Sequence, residues 1–280
     1  MAAIVCPKCG RLTEGNAPAC IHCGARLGKA WAVERAAERV LGDVNVTRAF
    51  LGFILLIYII QVILTLLQKT PTQLEKGGIF SNFSPAIQVQ WALGLQDTRM
   101  ILAGGEWWRV VTAIFVHLGL LHLFFNGLAL WYVGPLVEDF FGKARAVLLF
   151  VGTGVAGNLV SLLFHIGGGG ASGALFGWIG AALYLGFRRG GVFGAHIKRT
   201  MLSWAAYGFL FGVFVPCINQ AAHAGGFLAG IGLAALFGWE KREWVRTRNI
   251  LAAAAWLLVL LCWFLAFLHY KADFALVKGV

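Results

Sequence analysis

The sequence predicts an all-α membrane protein preceded by a small cysteine-rich module, and three observations carry that prediction. Hydrophobic residues make up 59% of the 280 residues and charged residues only 12%, with a mean hydropathy of +0.77. A soluble globular chain is roughly half apolar and a quarter charged, so that class is excluded. Apolar runs long enough to cross a hydrocarbon core of about 30 Å recur from residue 49 onward. Four of the six cysteines, finally, are crowded into residues 6 to 23.

Those four form two Cys-x-x-Cys pairs, Cys6 with Cys9 and Cys20 with Cys23, each followed by a glycine, Gly10 and Gly24. Such spacing lets four thiolates close a tetrahedron around one Zn²⁺ at about 2.3 Å, and residues 1–28 resemble a zinc ribbon. Two disulfides are the poorer account for a cytoplasmic segment, where thiols stay reduced. So short a stretch also needs its metal in order to fold. His22 reads as a bystander between ligands, and a cytoplasmic protein partner is one use for the module. Residues 29–47 carry Lys29, Glu34, Arg35, Glu38 and Arg39 among alanines, a juxtamembrane linker or short helix. No charged n-region and long apolar run open the chain, so the first apolar segment is expected to remain in the protein.

Seven spans are expected, at about 49–67, 112–133, 146–166, 172–187, 201–216, 221–238 and 250–269. A cytoplasmic N-terminus places Lys143 and Arg145, then Arg188, Arg189, Lys198 and Arg199, then Lys241, Arg242, Arg246 and Arg248 in cytoplasmic loops. The C-terminus then lies on the outer side. Connections 167–171 and 217–220 carry no charge. The net charge of +11 is thus explained by topology, and nucleic acid is not an expected partner. Residues 68–111 form a long outer loop with Trp91, Trp107 and Trp108 at the lipid interface.

Polar residues inside spans are costly and mark candidate sites. The second span holds His117, His122 and Asn126; the fourth opens Gly170-Ala171-Ser172-Gly173; the sixth begins Ala222-His223 and continues to Gly226 and Gly230. His122 and Asn126 share a helix face four residues apart and could together donate to an oxyanion, or serve only as structural partners. His223, Gly226 and Gly230 lie on one stripe, as do Gly173 and Gly177, and two small-residue faces favour close helix crossing in lipid. That crossing would bring imidazole to hydroxyl. Ser172 is then the candidate nucleophile and His223 its base, while a lone Gly-x-Ser-Gly would be packing only.

Taken together, Trp108-Arg109, His117, His122-x-x-x-Asn126, Glu138 with Gly142, Gly170-x-Ser172-Gly173 and Ala222-His223-x-x-Gly226-x-x-x-Gly230 resemble the rhomboid intramembrane proteases. The resemblance implies a rhomboid-like six-helix bundle over 48–240, with 241–280 an additional C-terminal transmembrane helix and tail. It implies hydrolysis of peptide bonds in transmembrane protein substrates by a Ser172–His223 dyad, with no cofactor for catalysis, in contact with membrane lipid. Oxyanion contacts fall on His122 and Asn126, and a bacterial cytoplasmic membrane is the expected location. Phe176 departs from the pattern, since the family commonly packs a tyrosine against the catalytic imidazole. The alternative is a non-catalytic rhomboid-like protein that binds transmembrane clients. A transporter or channel lacks the acidic residue in mid-span that it would require. Trp108-Arg109 reads as a loop anchor, and His165, His196 and His269 as residues without a constellation.

Overall fold

The computed structural model describes residues 3–6, 11–14, 20–24, 45–67, 84–214, 218–237 and 245–278. Cys9 and most of the linker lie outside the described residues, as do the boundaries expected at 28–29 and 240–241. The chain divides into two compact units, Met1–Asn45 and Val46–Val280.

In the first unit β1 (Ala3–Val5) pairs antiparallel with β2 (Leu12–Glu14), Ile4 opposite Thr13. The Cys6 N–H donates to the Arg11 carbonyl at 2.7 Å, just beyond the strands. Gly24, at φ 68, turns the chain after Cys23 with its N–H donating to the Cys20 carbonyl. The hairpin and the turn thereby present Cys6, Cys20 and Cys23 to one another.

The second unit is all helical. α1 (Val46–Leu67) is followed by three short helices, α2 (Ile87–Ala92), α3 (Thr98–Leu102) and α4 (Arg109–Thr112). Long helices then succeed one another: α5 (Leu120–Phe141), α6 (Lys143–Leu163), α7 (Ser172–Arg189), α8 (Gly191–Phe214), α9 (Gln220–Phe237) and α10 (Val245–Lys278). α1, α5, α6, α9 and the Asn249–Tyr270 stretch of α10 are long and apolar enough to cross a membrane. The protein is therefore an integral, multi-pass membrane protein.

α7 falls short because its 18 residues are rich in glycine and end in Arg188 and Arg189. Gly173 through Leu183 are all buried, because α7 packs against α5, α6, α8 and α9. A helix enclosed by protein can spend its surface on glycine and alanine, since close packing replaces lipid contact.

The second expected span is displaced. Residues 113–116 are apolar because they are buried in a turn, each no more than 1% exposed, and the helix starts only after Gly119. At its other end α5 runs past the apolar stretch to Phe141. Glu138 is accommodated there as a cap for α1, accepting from the N–H groups of Val46 at 3.0 Å and Thr47 at 2.6 Å, and from the Thr47 hydroxyl. A carboxylate at a helix N-terminus satisfies otherwise orphaned donors. Gly142, at φ 76, then breaks the chain into α6. α8 also starts earlier than the apolar run, since Lys198 and Arg199 lie within its helical turns.

Candidate active site

Ser172 is the first residue of α7, and the loop before it is held from several directions. Gln96 and Gly168 exchange both backbone hydrogen bonds at 3.0 Å. The Gln96 side chain donates to the carbonyls of Asn158 at 3.0 Å and Ile166 at 3.3 Å. Ser161 Oγ donates to the same Ile166 carbonyl at 2.6 Å, and the Gly170 N–H to Ala113 at 2.8 Å. Gly170 itself has φ 130, and a Cβ there would stand 2.5 Å from His122 Cε1. Only a glycine lets the imidazole of His122 lie against this loop.

His223 is presented from the first turn of α9. Asn219 organises that turn: its Oδ1 accepts from Ala222 N–H at 3.0 Å, its carbonyl from His223 N–H at 3.2 Å, and its Nδ2 donates to Ser161 Oγ. α9 then crosses α7 with backbones almost touching. A Cβ on Gly226 would collide with the Gly173 carbonyl, and one on Gly230 with the Gly177 carbonyl. The two glycine stripes of the sequence do meet, and the result is a His223 Nε2 to Ser172 Oγ distance of 2.8 Å.

The imidazole is clamped by rings. Phe176 stacks on it at 4.2 Å between centroids and 15° between planes, and Phe209 meets it edge-on at 6.3 Å. The packing expected from a tyrosine at 176 is thus made by a phenyl ring. His223 Nδ1 has no hydrogen-bond partner among the described residues. The geometry is a serine and histidine pair whose imidazole is oriented by its helix and an aromatic face.

Asn126 is buried, but its Nδ2 donates to the His122 carbonyl one turn back, at 2.8 Å. His122 Nδ1 and Asn126 Oδ1 have no partner among the described residues. His117 is fully buried; its Nδ1 donates to the Phe115 carbonyl at 3.1 Å, and its ring lies 5.3 Å from that of His122. Gln61 of α1 exchanges two 3.3 Å bonds with the His117 backbone. Trp108 and Arg109 do hold the loop together: the guanidinium pairs with Glu106 at 2.6 Å, donates to the carbonyls of Trp91 and Leu95, and lies 4.5 Å over the Trp108 ring.

Sequence reasoning missed Gln96, Asn158, Ser161 and Asn219. Asn158 and Ser161 are polar residues three apart within a span, and Asn219 is an N-cap type of residue ahead of an apolar run, so three of the four carried a legible signal. Gln96 carried none, because a loop glutamine looks the same whether it bridges or dangles. His269, read as isolated, faces Trp108 at 5.6 Å between ring centroids.

In the amino-terminal unit the sulfurs of Cys6, Cys20 and Cys23 lie within 4.8 Å of one another, Cys6 and Cys23 at 3.6 Å. Four thiolates around one ion would be spaced by about 3.8 Å given Zn–S bonds near 2.3 Å, so the three described sulfurs could hold such an ion. Burial alone would raise the Cys20 thiol, but the N–H groups of His22 and Cys23 and the thiols of Cys6 and Cys23 outweigh it and bring it down to about 6. That favours the thiolate a metal requires.

Residues 104–240 match the family described as Rhomboid domain. The chain is 38% identical to the rhomboid protease GluP of Bacillus subtilis (strain 168) over 151 residues, 54% of this chain and 30% of GluP. It is 31% identical to the rhomboid relative YdcA of the same strain over 161 residues, 55% of this chain and 79% of YdcA. Inactive RHOMBOID-like protein 8 of Arabidopsis thaliana is 33% identical over 141 residues, 49% of this chain and 40% of that protein. The match therefore spans less than half of two of these three relatives.

Proposed function

The chain belongs to the rhomboid family, and from that premise we propose that it is an intramembrane serine endopeptidase that cleaves transmembrane protein substrates. The observation that carries the reading is the 2.8 Å approach of His223 Nε2 to Ser172 Oγ, made by two helices packed glycine on glycine. With its proton on Nδ1, His223 accepts the Ser172 hydroxyl proton at Nε2 as Oγ attacks the scissile carbonyl. The imidazolium returns that proton to the leaving amine as the C–N bond breaks. Water, deprotonated by the same nitrogen, then adds to the acyl-enzyme; the C–Oγ bond breaks, the imidazolium returns its proton to Ser172 Oγ, and the new carboxyl product leaves.

Charge developing on the carbonyl oxygen is met by the N–H of Ser172 at the start of α7 and by His122, which lies against Gly170. Asn126 joins them once its amide turns from the His122 carbonyl. Donors preorganised in a water-poor site are worth about 3 kcal/mol each. Phe176 keeps the imidazole plane fixed, and His117 braces the ring of His122.

The rhomboid core is read as six spans, α1 and α5 to α9, with α10 a seventh. The N-terminus lies in the cytoplasm, the C-terminus on the outer side, and Ser172 and His223 near the outer surface, in agreement with the placement of lysine and arginine. A bacterial cytoplasmic membrane suits that arrangement. Cys6, Cys9, Cys20 and Cys23 are read as ligands of one structural Zn²⁺, which would fold the amino-terminal module and offer a surface to a cytoplasmic protein.

The inactive relative gives weight to a second reading, a rhomboid-like protein that binds transmembrane clients without cutting them. Reconstitution with a transmembrane reporter separates the two. The wild type is expected to cleave it, with Ser172→Ala and His223→Ala each slower by about 10³-fold or more. A folded wild type that retains the reporter uncut would establish the client-binding alternative.

A further inference from the structure

α10 lies beyond the matched residues, which end at 240, and no step of the proposed chemistry uses it. Its inward stripe of Ala252, Val259, Cys262 and Ala266 is nevertheless buried. Trp256 stacks on Phe50 at 4.8 Å and 23°, and Trp263 meets Phe53 edge-on at 6.1 Å while packing on Ala86, Val89 and Leu93 around α2. Further along, His269 stands against Trp108 at 5.6 Å between centroids and 39° between planes. One helix thus touches both α2 and the start of α4.

From Trp108 the contacts continue without a gap. Arg109 lies over the Trp108 ring and donates to Leu95 at 3.1 Å. The next residue, Gln96, pairs with Gly168, four positions before Ser172. Gln96 is 2% exposed and ties itself to Asn158 and Ile166 as well.

The geometry points to α10 as a strut that sets the loop carrying the nucleophile, with His269 and Gln96 as positioning residues for Ser172. The inference rests on the protease reading for its catalytic consequence, though not for its structural one. A misplacement of about 1 Å at a nucleophile can cost up to 10²-fold, so the coupling has a measurable effect on rate. A cycle of substitutions measures that coupling directly.

The test is hydrogen exchange at the Gln96 and Gly168 amides of the full chain in nanodiscs, together with kcat and KM on a transmembrane reporter. His269→Ala is expected to speed exchange at both amides by about tenfold through local opening. It is also expected to lower kcat by about tenfold, KM nearly unchanged, as the nucleophile shifts. His269→Phe, which keeps a ring against Trp108, should restore both. Gln96→Ala should resemble His269→Ala, and the double substitution should cost no more than the larger single one. Unchanged exchange in His269→Ala, or fully additive losses in the double, would overturn the strut. Faster exchange in a protein that never cleaves would keep the strut and count against the protease reading, whereas normal cleavage with unchanged exchange would do the reverse.

Discussion

With His223 Nε2 2.8 Å from Ser172 Oγ and Nδ1 without a partner among the described residues, the imidazole depends on ring packing for its orientation. Phe176 is the main contact, at 4.2 Å. Phe176→Leu should therefore lower kcat by about tenfold, through loss of alignment, while leaving the fold intact; the check is kcat beside the melting temperature. His122 lies against Gly170, and His122→Ala is expected to cost about 10²–10³ in kcat with KM little changed. A loss confined to KM would remove His122 from the oxyanion role. At this scale the sequence made legible that Ser172 and His223 meet and that His122 and Asn126 share a helix face. It was silent on Asn126 turning back to the His122 carbonyl, since a rotamer leaves no trace in residue order.

Helices are where small residues decide the outcome. Gly230 faces the Gly177 carbonyl, whereas nothing lies within 4 Å of the place a Cβ would take at Gly232 on the same helix. Gly230→Ala should then destabilise the protein by about 1–3 kcal/mol, because the two backbones must separate. Gly232→Ala should be neutral or slightly stabilising, by up to about 1 kcal/mol. Thermal unfolding in the same detergent compares them, and equal effects would deny the close crossing. Glu138→Ala strips the cap from α1 and should cost about 2 kcal/mol, measurable in the same way. The meeting of α7 and α9 was legible because the Gly173/Gly177 and Gly226/Gly230 stripes are periodic. The start of α5 was not: residues 113–116 are apolar through burial in a turn, and hydropathy cannot distinguish that from lipid exposure.

Across the whole molecule the amino-terminal module and the membrane unit make separate demands. Zinc analysis of the purified chain is expected to find one ion, lost when Cys6 and Cys9 are both changed to serine; equal zinc in that variant would refute the ligand set. The multi-pass character was legible from composition alone, while α7 falls short of the apolarity of a lone span because glycines line its buried face and Arg188 and Arg189 close it. The central claim is that folding brings a hydroxyl and an imidazole 51 positions apart into proton-transfer contact. Labelling of the detergent-purified chain with a fluorophosphonate probe tests that most directly. One adduct per chain, on Ser172 and absent from both Ser172→Ala and His223→Ala, is the result expected. A well-folded wild type that stays unlabelled, or labels equally in His223→Ala, would contradict it.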